Sequence, residues 1–183
     1  MIIARASDDI LEGGPGADIL NGGAGMDFAS YANALGGVLA DLIIRTNNTG
    51  EAAGDTYANI QNLRGSGHDD SLLGTFGPNR LEGLAGDDNL QGRGGGDTYL
   101  GGPGNDTFIF QNGFGLETVL DFDALNDLEK ISLQNVPGIT DFTDLTTNHL
   151  SKNGGDALIT DGVGVITLVG VDPADLDAND FVF

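Results

Sequence analysis

Large apolar residues return at every ninth position through the middle of the chain: Leu72, Leu81, Leu90, Tyr99 and Phe108. Each stands two residues after an acid or an amide, namely Asp70, Asn79, Asp88, Asp97 and Asp106, and each is the eighth residue of a nine-residue unit that glycine opens. The five units GSGHDDSLL, GTFGPNRLE, GLAGDDNLQ, GRGGGDTYL and GGPGNDTFI run without a gap from Gly65 to Ile109. Their first six residues are rich in Gly, Asn and Asp, which tolerate positive backbone angles and build tight turns. The last three form a strand, in which the middle side chain faces one side and its neighbours the other. The spacing therefore predicts a solenoid whose units bury their eighth residue only by stacking on one another.

The same period appears upstream when the frame starts at Ala4. ARASDDILE, GGPGADILN and GGAGMDFAS place Asp9, Asp18 and Asp27 at the sixth position and Leu11, Leu20 and Ala29 at the eighth. Between Tyr31 and Arg64 the period lapses, although Val38 to Ile44 alternates as a strand does and Asn47 to Gly54 reads as a polar loop. This stretch is expected to continue the same coils with one enlarged turn, so that both repeat blocks share one stack. After Ile109 the pattern becomes that of ordinary antiparallel strands, with short apolar runs at 107–110, 118–122 and 130–133. Ala157 to Thr160 and Val163 to Val169 flank Asp161-Gly162, a two-residue hairpin signal. Asp172, Pro173 and Asp175 predict a short helix before a final strand at 181–183.

Composition sharpens this picture. Of 183 residues, 31 are glycine, and their periodic placement separates them from a flexible linker. There are 28 acids against seven bases, a formal charge of −21. Such a charge argues against nucleic acid or anionic lipid as a partner and opposes compaction unless cations neutralise the turns. With no cysteine, disulfide scaffolds, thiolate metal sites and cysteine catalysis are excluded. No stretch approaches the roughly 20 apolar residues that span a membrane. The start, MIIARASDDI, lacks the basic beginning and apolar run of a cleaved signal peptide.

At the sixth position a carboxylate stands where turn meets strand. There it can face a cation together with the carbonyls of the glycine turn, and a hard divalent ion such as calcium wants six to eight oxygens. The unit resembles the calcium-binding nonapeptide GGxGxDxUx of the RTX (repeats-in-toxin) secreted proteins, most closely in GGPGNDTFI. That resemblance implies an all-β fold: a right-handed parallel β-roll with two nonapeptides per coil, closed by an antiparallel cap with one short helix. It implies calcium between turns two units apart, held by the pairs Asp9 with Asp27, Asp70 with Asp88, Asn79 with Asp97, and Asp88 with Asp106. Carbonyls of the glycine turns complete the sets, drawn from Gly65, Gly67, Gly74, Gly77, Gly83, Gly86, Gly92, Gly95, Gly101 and Gly104. His68 takes the place of a fourth-position glycine, and Asn79 brings no charge, so its site is expected to be the weakest. Asp18 has no downstream partner in register, while Asp121, Asp123 and Asp127 read either as solvated strand ends or as the acids that complete a site at the end of the roll.

The division expected is a roll over 1–110, with repeat blocks 4–30 and 65–109 around an insertion at 31–64, and a capping and secretion-signal region over 111–183 packed on it as one module. The tail Asp180-Phe181-Val182-Phe183 resembles that of substrates of type I secretion, which makes the secretion apparatus a partner and the location extracellular. No GxxxxGK[ST], EF-hand, HExxH or GxSxG pattern is present, and His68 and His149 read as surface residues. The reading is a non-catalytic module that folds on extracellular calcium. Its rival is an extracellular polysaccharide-binding or adhesion module, or the C-terminal part of a secreted protease, lipase or epimerase.

Overall fold

The computed structural model describes residues 1–183. Turns rich in glycine alternate with strands that are mostly three residues long, and successive strands fall on opposite faces of one flattened coil. The first face is a nine-stranded sheet. Ile10–Leu11, Phe28–Ser30, Asn62–Arg64, Arg80–Glu82, Thr98–Leu100, Leu116–Val119 and Val165–Leu168 pair in parallel, and Asp156–Thr160 and Leu150–Asn153 close it antiparallel. The opposite face holds Ile2–Ile3, Ile19–Asn21 and Thr56–Ala58 in one parallel sheet. A second sheet on that face runs Leu39–Asp41, Ser71–Leu73, Asn89–Gln91, Thr107–Gln111, Lys130–Asn135 and Phe181–Val182, again all parallel.

The eighth residue of each unit faces inward. Leu11, Ala29, Leu63, Leu81 and Tyr99 line the first face and Leu20, Ala40, Leu72, Leu90 and Phe108 the other, all buried in a single core. A Leu so placed contributes about 1.5–3 kcal/mol of apolar burial, available only once its neighbours are stacked. Towards the C-terminal end aromatic rings take over. Tyr99 meets Phe108 and Phe110 edge-on with centroids 6.1 and 5.4 Å apart, and Phe110 meets Phe114 at 6.1 Å.

Asn62–Arg64 pairs directly with Phe28–Ser30, so the first face crosses the 31–61 segment without interruption. The opposite face gains the extra strand Leu39–Asp41, which stops at Asp41 because that carboxylate accepts the N–H groups of Ile43 and Ile44, both at 2.8 Å. Beneath the following loop lies a hydroxyl network: Tyr31 donates to Asp55 Oδ2 at 2.9 Å and meets the Tyr57 hydroxyl at 2.5 Å, and Asn48 Nδ2 donates to Tyr57 at 3.0 Å.

The parallel coil extends past the repeats. Thr107–Gln111, Leu116–Val119 and Lys130–Asn135 keep parallel partners, because their apolar residues remain in register with the ladder below. Antiparallel strand pairs are confined to residues 150–168, and the one other antiparallel contact is an isolated bridge between Leu39 and Thr49. The hairpin there has a four-residue loop, since Asp161 accepts from Val163 and Gly164 at 2.9 and 2.7 Å and moves the strand start to Val165. The expected helix near Pro173 is a single 3₁₀ turn, Pro173–Asp175, capped by Asp172. A helical turn absent from the sequence reading, Phe142–Asp144, starts at the N-cap Asp141, whose side chain accepts from Asp144 N at 2.8 Å, and runs on through a wide turn at Leu145–His149. No helix is long and apolar enough to cross a membrane.

Candidate metal centre

The turns stack along the two edges of the coil, and their sixth residues form ladders. On one edge Asp9 N–H donates to Asp27 Oδ1 at 2.9 Å, Asp27 N–H to Gln61 Oε1 at 2.9 Å, Asn79 N–H to Asp97 Oδ1 at 2.8 Å and Asp97 N–H to Glu117 Oε2 at 2.8 Å. On the other, Asp18 N–H donates to Asp55 Oδ1 at 2.8 Å. There too Val38 N–H donates to Asp70 Oδ1 at 2.7 Å, Asp70 N–H to Asp88 Oδ1 at 2.8 Å and Asp88 N–H to Asp106 Oδ1 at 2.9 Å. All four pairs read from the sequence are therefore neighbours in the stack. These rungs between sixth residues share one sense: the backbone of one coil donates to the side chain of the coil that follows it. The fifth residues make rungs of the opposite sense, Met26 N–H to Asp8 Oδ1, Asp87 N–H to Asp69 Oδ1 and Asn105 N–H to Asp87 Oδ1 at 2.8, 2.9 and 2.8 Å.

This bond uses one oxygen of each carboxylate. The other, Oδ2, is buried without any hydrogen-bond partner in Asp27, Asp88, Asp97 and Asp106. A buried charged oxygen with no partner carries a large desolvation cost. Asp88 shows what surrounds it. A Cβ on Gly83 would collide with Asp88 Oδ2 and come within 2.7 Å of the Gly101 carbonyl oxygen, while Cβ atoms on Gly102 and Gly104 would strike the carbonyls of Leu84 and Gly86. Peptide oxygens and a bare carboxylate oxygen thus line one strip between successive turns. Nowhere do three carboxylate or imidazole side chains converge, so a cation there would draw most of its ligands from the backbone. An all-oxygen set of this kind fits calcium.

The electrostatics agree. Burial, with the neighbouring carboxylates adding to it, pushes the carboxyls of Asp88 and Asp97 up to about 7 and that of Asp106 up to about 6. Burial likewise raises Asp70, Asp55 and Glu117, and carries Glu129 to about 7.

The turns are of two kinds. Where Oδ2 is bare, the second residue is left-handed: Gly23, Leu84, Arg93 and Gly102 have φ of 91°, 82°, 80° and 98°. In the turns that open at Gly65 and Gly74 neither the second residue nor Gly67 or Gly77 has a positive φ. There Ser66 N–H closes on Asp70 Oδ2, and Thr75 N–H on Asn79 Oδ1 at 2.6 Å. The Asn79 amide also donates to the Gln61 carbonyl. Asp70 and Asn79 are thereby partnered within the chain. A guanidinium lies beside them: Arg93 donates to the Gly74 carbonyl and to both oxygens of Asp41. At the open end, Asp9 is half-buried and accepts from the Ser7 hydroxyl at 3.2 Å.

Four partners escaped the sequence reading. Asp55 stands above Asp18, Gln61 above Asp27, Glu117 above Asp97, and Glu129, by the pairing of Thr107 with Lys130, above Asp106. Two had a signal: Gly54-Asp55-Thr56-Tyr57 repeats the order of Gly96-Asp97-Thr98-Tyr99, and Glu117-Thr118 precedes an apolar pair as Asp97-Thr98 does. Of the acids expected to complete a terminal site, Asp121 instead accepts the N–H groups of Gly101 and Gly102 at 3.0 and 2.8 Å, Asp123 accepts from Leu125 within its own turn, and the Asp127 carbonyl accepts from Lys130. His68 is exposed, and the His149 ring nitrogen Nδ1 bonds the Thr160 carbonyl at 2.6 Å.

The model of the RTX calcium-binding nonapeptide repeat matches in four copies, over residues 1–29 and 73–108. Among solved structures, the chain is similar to the AlgE6R3 subunit of the mannuronan C5-epimerase from Azotobacter vinelandii, at 26% identity and a TM-score of 0.53, over 67% of this chain and 77% of that one. It is also similar to the extracellular lipase LipA from Serratia marcescens, at 17% identity and a TM-score of 0.41, over 98% of this chain and 37% of that one. No curated protein matches in sequence.

Proposed function

Because this chain carries RTX calcium-binding nonapeptide repeats folded as a β-roll, we propose that it is a calcium-dependent folding module of a secreted protein. The observation that carries this reading is the set of buried, partnerless Oδ2 atoms on Asp27, Asp88, Asp97 and Asp106, each against a glycine turn. These four, with Asp9 and the carbonyls of Gly83, Leu84, Gly86 and Gly101, would hold the ions. Gly65, Gly67, Asp70, Gly74, Gly77 and Asn79 belong to turns that close on themselves and would bind weakly, whereas Gly92, Gly95 and Gly104 shape the turns that bind. Calcium supplies the positive charge that lets these carboxylates pack together.

At low calcium the acids repel one another and the chain stays largely unfolded, a state suited to passage through a type I secretion channel. Outside the cell, calcium at about ten times the dissociation constant adds about 1.4 kcal/mol per independent site, so a few sites decide whether the roll forms. Circular dichroism in calcium and after chelation tests the reading: strand signal should collapse on chelation and return on calcium addition, and a signal indifferent to chelator would overturn it.

A second reading has its own observation. Phe28, Arg64 and Arg80 share the outer side of the first face, with the Arg64 guanidinium carbon 5.2 Å from the Phe28 ring centroid, beside a groove lined by Ile10, Met26 and Asn62. Both guanidinium groups hold Glu82, Arg64 Nε at 2.7 Å and Arg80 Nε at 2.6 Å, which leaves their Nη groups and the aromatic ring to meet an acidic polysaccharide, and the similar subunit comes from an enzyme named for mannuronan. Titration with polymannuronate in calcium, repeated on Arg64→Ala/Arg80→Ala, distinguishes a binding surface from a merely structural face.

A further inference from the structure

The nonapeptide pattern ends at Ile109, but the ladders of acids do not. Glu117 lies on the non-repeat strand Leu116–Val119, and the pairing of Thr98 with Thr118 sets it directly above Asp97. It is 1% exposed, as is Asp97. Its Oε2 accepts the Asp97 N–H at 2.8 Å, the rung that an aspartate Oδ1 makes elsewhere, and its Oε1 accepts Gly115 N–H at 2.8 Å. One lone pair on each glutamate oxygen is left over.

Beside it, Asp97 Oδ2 is buried with no partner at all. The Tyr99 hydroxyl completes the cluster. It replaces the leucine of other units, accepts Gly92 N–H at 3.1 Å and borders both carboxylates. The backbone is equally close, for a Cβ on Gly115 would collide with the Gly95 carbonyl oxygen. Two buried carboxylates and a phenol oxygen lie together with no basic side chain bonded to any of them.

We propose that the calcium ion at Asp97 Oδ2 is shared with Glu117, a residue outside the repeats, between the last glycine turn of this edge and the cap. The proposal rests on the calcium reading above and extends it in one respect. Leu116–Val119 also pairs with Val165–Leu168 of the antiparallel hairpin, so an ion here ties metal uptake by the repeats to the ordering of the C-terminal third.

The test is an anomalous difference map from crystals of the full chain grown with Tb³⁺ in place of calcium. A peak bonded to Asp97 Oδ2 and flanked by Glu117 is the expected result. Peaks beside Asp88 and Asp106 with none at Asp97 and Glu117 would overturn this site and leave the calcium module standing, whereas a map without any peak at the turns would overturn both. In solution, Glu117→Gln should lose one calcium equivalent by calorimetric titration, or bind it at least about tenfold more weakly, with the strand signal at saturating calcium retained. Unchanged stoichiometry and affinity in that variant would overturn the role of Glu117, and should the variant not fold, the map on the unmodified chain decides.

Discussion

Arg93 and Asp41, 52 residues apart in sequence, are joined by two parallel hydrogen bonds, Nη1 to Oδ1 at 3.0 Å and Nη2 to Oδ2 at 2.7 Å. The Asp41 side chain is 1% exposed and that of Arg93 11%. Burial works against the charge on Asp41, but the guanidinium and the N–H groups of Ile44 and Ile43 more than offset it and hold its carboxyl below the ordinary value. Since Arg93 also takes the Gly74 carbonyl, a fixed organic cation sits over the turn whose sixth residue is the uncharged Asn79. The middle of the roll is braced from within, and the bare carboxylate oxygens of Asp27, Asp88, Asp97 and Asp106 lie to either side of it.

Arg93→Ala should therefore destabilise the calcium-loaded chain by about 3–5 kcal/mol, because it strands a buried carboxylate. The number of calcium ions bound should not change. Arg93→Lys should recover little, since an ammonium cannot reproduce the two parallel bonds. Urea unfolding in saturating calcium, paired with calorimetric titration, measures both.

Asp88 and Asp70 occupy the same place in successive coils and should respond differently to amidation. Asp88→Asn should cost calcium affinity on the order of tenfold or more at its site, about 1.4 kcal/mol, because the oxygen removed is the partnerless one. Asp70→Asn should leave calcium stoichiometry alone and cost about 1–3 kcal/mol of stability, because its Oδ2 serves Ser66 N–H and an amide nitrogen there opposes donor to donor. Titrating both variants side by side separates the two kinds of turn.

Acidity should replace calcium in part. The carboxyls of Asp88 and Asp97 in the folded chain lie at about 7 and that of Asp106 at about 6, against 3.8 for the ordinary group. Raised values mean that without calcium the folded state holds more protons than the unfolded one across that window. Its stability is then fully present below about pH 4 and is lost as pH rises through about 6 to 7. The chelated chain should show more strand by circular dichroism near pH 5 than near pH 7.5. Calcium affinity should move the opposite way, weakening towards pH 5 as protons compete for the same oxygens.

Leu84 adopts a φ of 82° at a position where Gly23 and Gly102 stand in their own turns. A left-handed non-glycine residue costs roughly 1–2 kcal/mol, partly offset by the chain entropy that glycine would add to the unfolded state. Leu84→Gly should leave stability unchanged or raise it by up to about 1 kcal/mol, measured by thermal unfolding in calcium. A clear loss would mean that the Leu84 side chain contributes packing.

The repeats and their stacked partners were legible because two nonapeptides make one coil. Residues 18 apart must then be neighbours, and Asp70, Asp88 and Asp106 follow from spacing alone. Where the period breaks, the register breaks with it. Glu117 lies 20 residues after Asp97, and Asp55 lies 37 after Asp18, distances set by turns whose lengths no pattern fixes. The difference between Asp70 and Asp88 was equally hidden, for it resides in backbone angles at Ser66 and Leu84 that composition does not encode. The four-residue hairpin at Asp161 shows the same thing on a smaller scale, since one side chain capturing two N–H groups lengthened a turn that its dipeptide announced as shorter.

The fifth and sixth residues run their rungs in opposite senses, so each layer of the stack offers its neighbour both a donor and an acceptor. Shortened from its beginning, the stack would uncover sixth-position carboxylate oxygens, which water readily solvates, and would take the Asp8 oxygen from the Met26 N–H. Cut back past Glu117, it would take the acceptor from the buried Asp97 N–H. The layers interlock like bricks laid with staggered joints.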